Sequence, residues 1–319
     1  MNNAPASCGA EGREVRRSNS PARTNSPLGC SARRGTAKQV PSGKLAADLS
    51  ALGSSTAEVA QPCVPAIELR EVSFSYGKEP FIGGLSAMFS HGAVTSIVGP
   101  NGCGKSTMVK LVDGLLRPQA GEVRVGGVPT LSLRAKARAR RVAVLAQASR
   151  PPAMTVEALV ACGRYPYQAH QGKLSREDRE HVERALELAG IARFRTQELR
   201  RLSGGERQRA FIAMTLAQDT DLIVLDEPTT YLDIRACHET MELIRRLNEE
   251  AGKTIVMVIH DLDLALRYSD RLLVMERGRA AAAGTVEEVL ATGAIERAFG
   301  VSIRPHEAAE GRAYTLFPA

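Results

Sequence analysis

The 319-residue chain is 44% hydrophobic, contains no tryptophan and carries a net charge of +7. This is enough chain for one large domain or two small ones with an aliphatic core. Its six cysteines lack CxxC spacing, so we expect free thiols in a reducing compartment. No apolar run approaches the roughly 20 residues that cross a bilayer, so we expect a protein that is soluble or held at a membrane by a partner.

Residues 1–62 are rich in Ser, Arg, Ala, Gly and Pro and show no hydrophobic periodicity. They carry eight Lys or Arg against four Asp or Glu, so +4 of the net charge lies here, which excludes a basic nucleic-acid platform in the remainder. The composition predicts a disordered, solvated tail. An organellar transit peptide or a start codon assigned too far upstream would also account for it.

Beyond the tail, predicted strands alternate with predicted helices, which indicates a parallel α/β core. The strands are predicted at 66–76, 93–99, 121–127, 141–146, 221–228, 254–260 and 271–278. The helices are predicted at 106–116, at 175–190, from Ser203, at 235–250, just after 260 and from Thr285. The second of them would be capped by Ser175-Arg176-Glu177-Asp178. Residues 151–201 contain only helical patterns, so we expect them to form an all-helical insert in this core.

A phosphate-binding loop is predicted between the second strand and the first helix. The residues Gly99-Pro100-Asn101-Gly102-Cys103-Gly104-Lys105-Ser106 fit the pattern GxxxxGK[ST] in the strand–loop–helix context that it requires. Backbone N–H groups and the helix N-terminus would surround phosphate oxygens. Lys105 would reach the β- and γ-phosphates, Ser106 would hold Mg²⁺, and Thr107 would support the phosphate. The alternative is a chance glycine turn before a helix.

Two adjacent carboxylates end an apolar strand. Asp226 follows Leu222-Ile223-Val224-Leu225, and Glu227 comes next. Carboxyl ends of parallel strands face the ligand crevice. Asp226 therefore suits Mg²⁺ coordination through water, and Glu227 suits a general base for an attacking water. The alternative is a polar strand end before the turn at Pro228.

Three further residues are candidates because each lies at or just beyond a strand end. Gln147 could reach Mg²⁺ or water, His260 could contact the γ-phosphate, and Tyr76 could stack on a base. Taken singly, each also fits an ordinary structural role, as a loop amide, a strand-end polar residue and a half-buried strand aromatic.

A capped helix is predicted at "RLSGGERQRA", residues 201–210. Ser203 and Glu206 form a capping-box pattern. The helix nevertheless begins with Gly204 and Gly205, although glycine costs a helix up to about 1 kcal/mol relative to alanine. A capped helix alone leaves the two glycines unexplained.

Together these segments resemble the ATP-binding subunits of ABC transporters over about residues 66–305. The resemblance rests on the phosphate loop, Gln147, "LSGGERQR" at 202–209, "LIVLDEP" at 222–228, Leu232-Asp233 and His260, all in one order. It implies a phosphate-loop NTPase core with a parallel sheet, an N-terminal antiparallel β part and an inserted all-helical subdomain. On this basis we expect a catalytic core at 63–150 and 202–305, a helical subdomain at 151–201 and a C-terminal extension at 306–319.

The resemblance also implies ATP and Mg²⁺ as ligands and a second copy of the chain as a partner. In this family two nucleotide domains bind head-to-tail, so Ser203, Gly204 and Gly205 of one copy would close over the γ-phosphate bound by the other. Asp233 would lie across the same interface. Without side chains, the two glycines would let the backbone approach the phosphate.

Within the family, "TVEALVACGRYPYQ", "PTTYLDI" and "HDLDLALRYSDRLLVM" are similar to importer ATPases for ferric siderophores, haem and cobalamin, with a lean towards iron-siderophore uptake. The resemblance implies a peripheral protein at the cytoplasmic face of the inner membrane. A permease would dock near residues 148–170 and a substrate-binding protein would act indirectly. A soluble ABC ATPase that acts on DNA or ribosomes is disfavoured, because the sequence shows one ATP domain and no room for a long coiled coil. An exporter is disfavoured because many exporters carry membrane helices in the same chain, and the sequence shows none.

Overall fold

The computed structural model describes residues 64–147, 151–168, 173–308 and 311–318. The predicted tail at 1–62 lies outside these residues, as do 148–150 and 169–170 of the predicted permease-contacting segment. The strands are β1 Ile67–Phe74, β2 Ile82–Phe89, β3 Val94–Val98, β4 Ala120–Val125, β5 Val128–Pro129, β6 Val142–Leu145, β7 Leu222–Asp226, β8 Thr254–Val258, β9 Arg271–Glu276, β10 Arg279–Thr285, β11 Val301–Ala308 and β12 Gly311–Pro318. The α-helices are α1 Lys105–Val112, α2 Ala135–Ala139, α3 Val156–Cys162, α4 Arg176–Leu188, α5 Gly204–Ala217, α6 Ile234–Glu249, α7 Leu262–Tyr268, α8 Val286–Ala291 and α9 Ala294–Phe299.

A six-stranded sheet of order β10-β9-β3-β8-β7-β6 forms the centre of the fold. All its pairs are parallel except β9 with β10. Its central strands are buried on both faces, so they are largely apolar, and successive side chains enter different cores. Along β7, Leu222 and Val224 belong to one core, and Ile223 and Leu225 to the other. The predicted α/β fold with a parallel sheet is confirmed.

The first of these cores lies beneath a second sheet. Strands β2-β1-β4-β5 form this antiparallel sheet, and α1 packs in the same core. The resemblance implies such a part, whereas β2 itself was not predicted from the sequence. Its "IGGLSAMF" pattern is interrupted by glycines and buries only every second or third residue, so the period-2 signal is weak.

Helices α3 to α9 belong to the second core. In the described part of 151–201, the regular secondary structure consists of α3, α4 and two short 3₁₀ turns. The predicted Ser175 cap is present, because the Ser175 hydroxyl accepts a hydrogen bond from the Asp178 amide and the Asp178 carboxylate accepts one from the Ser175 amide. No helix in the described part of the chain combines the length and apolar character that a bilayer crossing requires.

A hairpin of β11 and β12 ends the described chain. Strand β11 continues across residue 305, where the sequence predicts the end of the main domain. Tyr314 on β12 is buried in the second core, with Val301, Ile303 and Leu316 partly buried around it. The residue 305 boundary remains a prediction, and the hairpin was not anticipated because its own strands alternate only weakly.

Candidate active site

The predicted phosphate loop joins the end of β3 to the start of α1. Gly104 is the N-cap of α1 and has a φ of 109°, a conformation that side chains rarely adopt. At Gly99 a Cβ atom would lie 2.2 Å from the Met275 carbonyl oxygen, so only glycine fits against β9. Two glycines of the motif thus shape the loop, which presents the first turn of α1 to an anion.

Lys105, the first residue of α1, follows this loop and is almost fully buried. Its ammonium donates to the carbonyls of Gly99, at 2.7 Å, and Pro100, at 3.0 Å. Burial raises the pKa of the nearby Cys103 thiol, although the Lys105 charge opposes the shift. The loop therefore holds its one ammonium where a phosphate would enter, beside the exposed Asn101 and Gly102.

Tyr76 extends from the end of β1 towards the same loop. Its hydroxyl lies 3.1 Å from the Thr107 hydroxyl, and its ring packs edge-on against Phe74 and Phe81. The residue is still 61% exposed. An exposed ring anchored beside a phosphate loop is compatible with stacking on a base, and this role of Tyr76 stays a prediction.

Ser106 and Asp226 meet between α1 and the end of β7. The Ser106 hydroxyl donates to the Asp226 carboxylate at 3.2 Å. Burial raises the pKa of Asp226 above its usual range; the Ser106 hydrogen bond opposes that rise and the Glu227 charge adds to it. A buried carboxylate facing a second carboxylate is an environment that a cation would stabilise.

Glu227 is where four elements converge. Its Oε2 accepts hydrogen bonds from the Gln147 amide at 2.7 Å and the Thr230 hydroxyl at 3.0 Å, and its Oε1 pairs with His260 Nε2. Its own amide donates to the Val258 carbonyl of β8 at 3.1 Å. Gln147, Glu227 and His260, separated by up to 113 positions in the sequence, therefore form one cluster.

The backbone at Glu227 is strained, with a φ of 57°. A residue other than glycine in this region costs on the order of 1–3 kcal/mol, and such residues cluster at functional sites.

Sequence reasoning missed Thr230 in the cluster around Glu227. Its signal was a hydroxyl three residues after Glu227, across the turn that begins at Pro228.

The predicted capping box of α5 is present. The Ser203 hydroxyl accepts from the Glu206 amide at 3.3 Å, and the Glu206 carboxylate accepts from the Ser203 amide at 3.0 Å. The Ser203 amide, and the Ser203 hydroxyl that donates to the same carboxylate at 2.8 Å, hold the pKa of Glu206 below its usual range. Because its N-terminus carries the two glycines, α5 is called the glycine-pair helix below.

A capped helix alone leaves the glycine pair unexplained, and the packing of this helix within the chain supplies one reason for it. A Cβ at Gly205 would lie 3.0 Å from the Ala236 Cβ of α6, and one at Gly204 would lie 3.3 Å from a Leu232 methyl group. The pair therefore lets the glycine-pair helix approach α6 closely within one chain. A binding role would be additional to this packing role.

Two cavities adjoin the glycine pair. One of about 360 Å³ is lined by Gly204 together with Gln147, Asp226 and Glu227. The other, of about 430 Å³, is lined by Ser203 and Gly205 together with Asp233, which caps α6 by accepting from the Ala236 amide. Among the described residues that line these two cavities, none belongs to the phosphate loop.

Comparison with known proteins agrees with this geometry. A sequence model of the ABC transporter family matches residues 82–230. The chain is 43% identical to the petrobactin import ATP-binding protein FpuD of Bacillus anthracis over 226 residues, 70% of this chain and 83% of that protein. It is 41% identical to the ferric enterobactin transport ATP-binding protein FepC of Escherichia coli (strain K12) over 232 residues, 72% of this chain and 86% of that protein.

A solved structure gives the same result for the fold. The dimer of an ATP-binding cassette in a post-hydrolysis state, bound to ADP and Pi, is 30% identical to this chain with a TM-score of 0.60, and the match covers 69% of this chain and 98% of that chain. With the phosphate loop, Asp226 and Glu227 arranged as described, the chain belongs to the ATP-binding, ATP-hydrolysing subunits of ABC transporters.

Proposed function

We propose that this protein energises import of a ferric siderophore by hydrolysing ATP as a head-to-tail dimer against a membrane permease. The observation that carries the catalytic part is the convergence of Gln147, Thr230 and His260 on Glu227, beside the Ser106–Asp226 pair. The names of the two relatives, petrobactin import and ferric enterobactin transport, support the cargo class and the direction. Haem or cobalamin import is the alternative.

In this mechanism Lys105 and the loop amides bind the β- and γ-phosphates, and the Tyr76 ring stacks on the base. Glu227 accepts a proton from the water that attacks the γ-phosphorus. Gln147 and Thr230 hold one carboxylate oxygen, and His260 holds the other near the γ-phosphate. General-base assistance of this kind contributes about 10²- to 10⁴-fold in rate.

The residues present fit Mg²⁺. The described residues hold no cluster of three or more His, Cys, Asp or Glu side chains that would retain a cation alone. Ser106, Asp226 and Gln147 instead offer hydroxyl, carboxylate and amide oxygens, and Mg²⁺ in phosphate sites prefers a few such ligands together with phosphate and water. When bound, the ion would neutralise charge on the phosphates.

The dimer is supported by the dimeric cassette to which the chain is similar. We infer that Ser203, Gly204 and Gly205 of one copy contact the γ-phosphate bound by the other, with Asp233 at the same interface. The capped N-terminus of the glycine-pair helix suits an anion. The protein would be peripheral at the cytoplasmic face of the membrane, with the permease docked near 148–170 and the binding protein acting through the permease.

The first test is Glu227→Gln. We expect ATP binding to persist and steady-state hydrolysis to fall by about 10²-fold or more, because the amide cannot accept the proton. Mg-ATP should then shift the protein from monomer to dimer in a solution-mass measurement. The control is Glu249→Gln, which removes an exposed carboxylate paired with Arg245. Near-normal hydrolysis by Glu227→Gln would refute its assignment as the base.

The cargo needs a separate test. Reconstituted with a candidate permease, the protein should hydrolyse ATP faster when a binding protein loaded with ferric siderophore is added. Stimulation by haem- or cobalamin-loaded binding protein instead would move the assignment to the alternative.

A further inference from the structure

A buried ion pair lies in the helical region, away from the phosphate loop. The guanidinium of Arg164 donates to the Asp178 carboxylate at 2.9 Å, and the two side chains are only 3% and 8% exposed. Both residues follow α3, Arg164 directly and Asp178 in the first turn of α4. The proposed mechanism does not use either residue.

Arg164 connects this region to the far end of the glycine-pair helix. Besides Asp178, it donates to the carbonyl of Ala217, the last residue of that helix, at 2.9 Å. Next to it, Gly163 packs so closely that a Cβ would lie 2.2 Å from the Met214 carbonyl. The C-terminal turn of the glycine-pair helix is therefore fixed to residues 163 and 164.

The segment Gly163–Gln168 is also tied to the catalytic core through α2. Lys136 donates to the Gln168 carbonyl at 2.8 Å, and Arg140 donates to the Pro166 carbonyl at 2.9 Å. The Tyr167 ring lies 4.0 Å from the Arg164 guanidinium and 5.0 Å from that of Arg140. Helix α2 leads directly into β6, which ends just before Gln147.

The same segment reaches the surface at Tyr165, which is 65% exposed. It lies within the part of the chain where we propose that a permease docks. Different residues of this segment thus contact α2, which precedes the strand that leads to Gln147, and the helix that Ser203 caps.

The glycine-pair helix has 14 residues and spans about 21 Å. A continuous helix of this length moves as a stiff unit, so fixing its C-terminal end constrains its N-terminal end. We propose that Arg164 is a positioning residue: by holding Ala217 and Asp178 together it sets where Ser203 and Gly205 stand for the nucleotide of the second copy. This inference rests on the proposed composite site.

The chemistry requires arginine at this position. Burial alone would raise the pKa of Asp178, and the hydrogen bonds from Arg164 and Ser175 overcome it, so that its pKa lies below the usual range. The planar guanidinium donates to the Asp178 carboxylate and the Ala217 carbonyl while it stacks on the Tyr167 ring. A lysine ammonium is a single point charge on a flexible stem and cannot make all three contacts.

The test uses two variants of the full chain. Arg164→Lys keeps the charge, and Arg164→Met combined with Asp178→Asn leaves no unpaired charge buried. For both we expect kcat for ATP to fall about 10- to 100-fold, as small misplacements of reacting groups do. Binding of a fluorescent ATP analogue to the monomer should be unchanged, because Lys105 and Tyr76 are untouched.

Arg195→Met is the control, since its ion pairs with Glu157 and Glu183 join α3 to α4 without reaching the glycine-pair helix. It should keep kcat. Normal kcat in both Arg164 variants would overturn the inference, as would a parallel loss of kcat, ATP binding and melting temperature, which marks a merely structural role. Normal hydrolysis by Ser203→Arg would overturn the composite site itself.

Discussion

Glu227 combines a strained backbone with a side chain whose two oxygens are held by three neighbours. Strain of this kind persists only where the surroundings fix the residue. Here the fixing groups come from the loop after β6, the turn after β7 and the end of β8. The arrangement favours a carboxylate aimed at one point over a carboxylate free to rotate.

Asp226 illustrates a conflict between stability and activity. Burial raises the pKa of Asp226, so the folded state favours the neutral carboxyl. Above the usual pKa of about 3.9 the unfolded state is ionised, and the charge on Asp226 therefore destabilises the folded state relative to the unfolded one. We expect Asp226→Asn, without Mg²⁺, to unfold with a free energy about 1 kcal/mol higher at pH 7. Activity should be lost.

Chemical denaturation at several pH values checks this prediction. The gain should shrink as the pH falls towards 4, because Asp226 itself becomes protonated there. Asp221→Asn, at a 95% exposed side chain, is the matched control and should show no gain. A destabilised Asp226→Asn at pH 7 would contradict the interpretation.

At the scale of the element, the glycine-pair helix depends on its neighbours. Its first turn is capped from its own sequence by Ser203 and Glu206. Its closeness to α6 depends on Gly205 opposite Ala236, a pair separated by 31 positions. The two glycines therefore lower the helix propensity of this turn, while their lack of side chains allows the close packing against α6.

Alanine scanning separates the two effects. Gly205→Ala should lower the free energy of unfolding by about 1–3 kcal/mol through overpacking. Gly204→Ala should cost less, because its neighbour is the end of the flexible Leu232 side chain. The measurement is urea denaturation.

Combining Gly205→Ala with Ala236→Gly tests the cause, since it restores the space. Recovered stability with poor ATP hydrolysis would support both a packing and a binding role for the pair. Recovery of both would leave packing as its whole role, and no recovery of stability would contradict the packing argument.

At the scale of the whole molecule, one sheet separates two cores, and the candidate active site lies at the carboxyl edge where β3, β7 and β8 end. The second core is completed from the C-terminal hairpin through Tyr314. We expect Tyr314→Ala to lower the free energy of unfolding by about 3 kcal/mol, by leaving a cavity. Phe317→Ala on the same strand, at a 42% exposed residue, should have little effect.

Denaturant midpoints measure both variants. An equally small effect of both substitutions on the denaturation midpoint would mean that the hairpin does not contribute to this core. Both variants should retain ATP hydrolysis under stabilising conditions. Neither residue belongs to the phosphate loop, and neither lines the two cavities at the glycine pair.

The sequence by itself determined the phosphate loop, the buried strand ending in Asp226 and Glu227, and the capping boxes at Ser175 and Ser203. Each depends on residues within a few positions of one another, so local pattern and capping chemistry suffice. Only the tertiary structure decided the contacts of Thr230 with Glu227, of Gly205 with Ala236 and of Arg164 with Ala217. It also decided the pairing of β2 and the docking of the hairpin, because each joins segments whose own patterns carry no signal of the partner they meet.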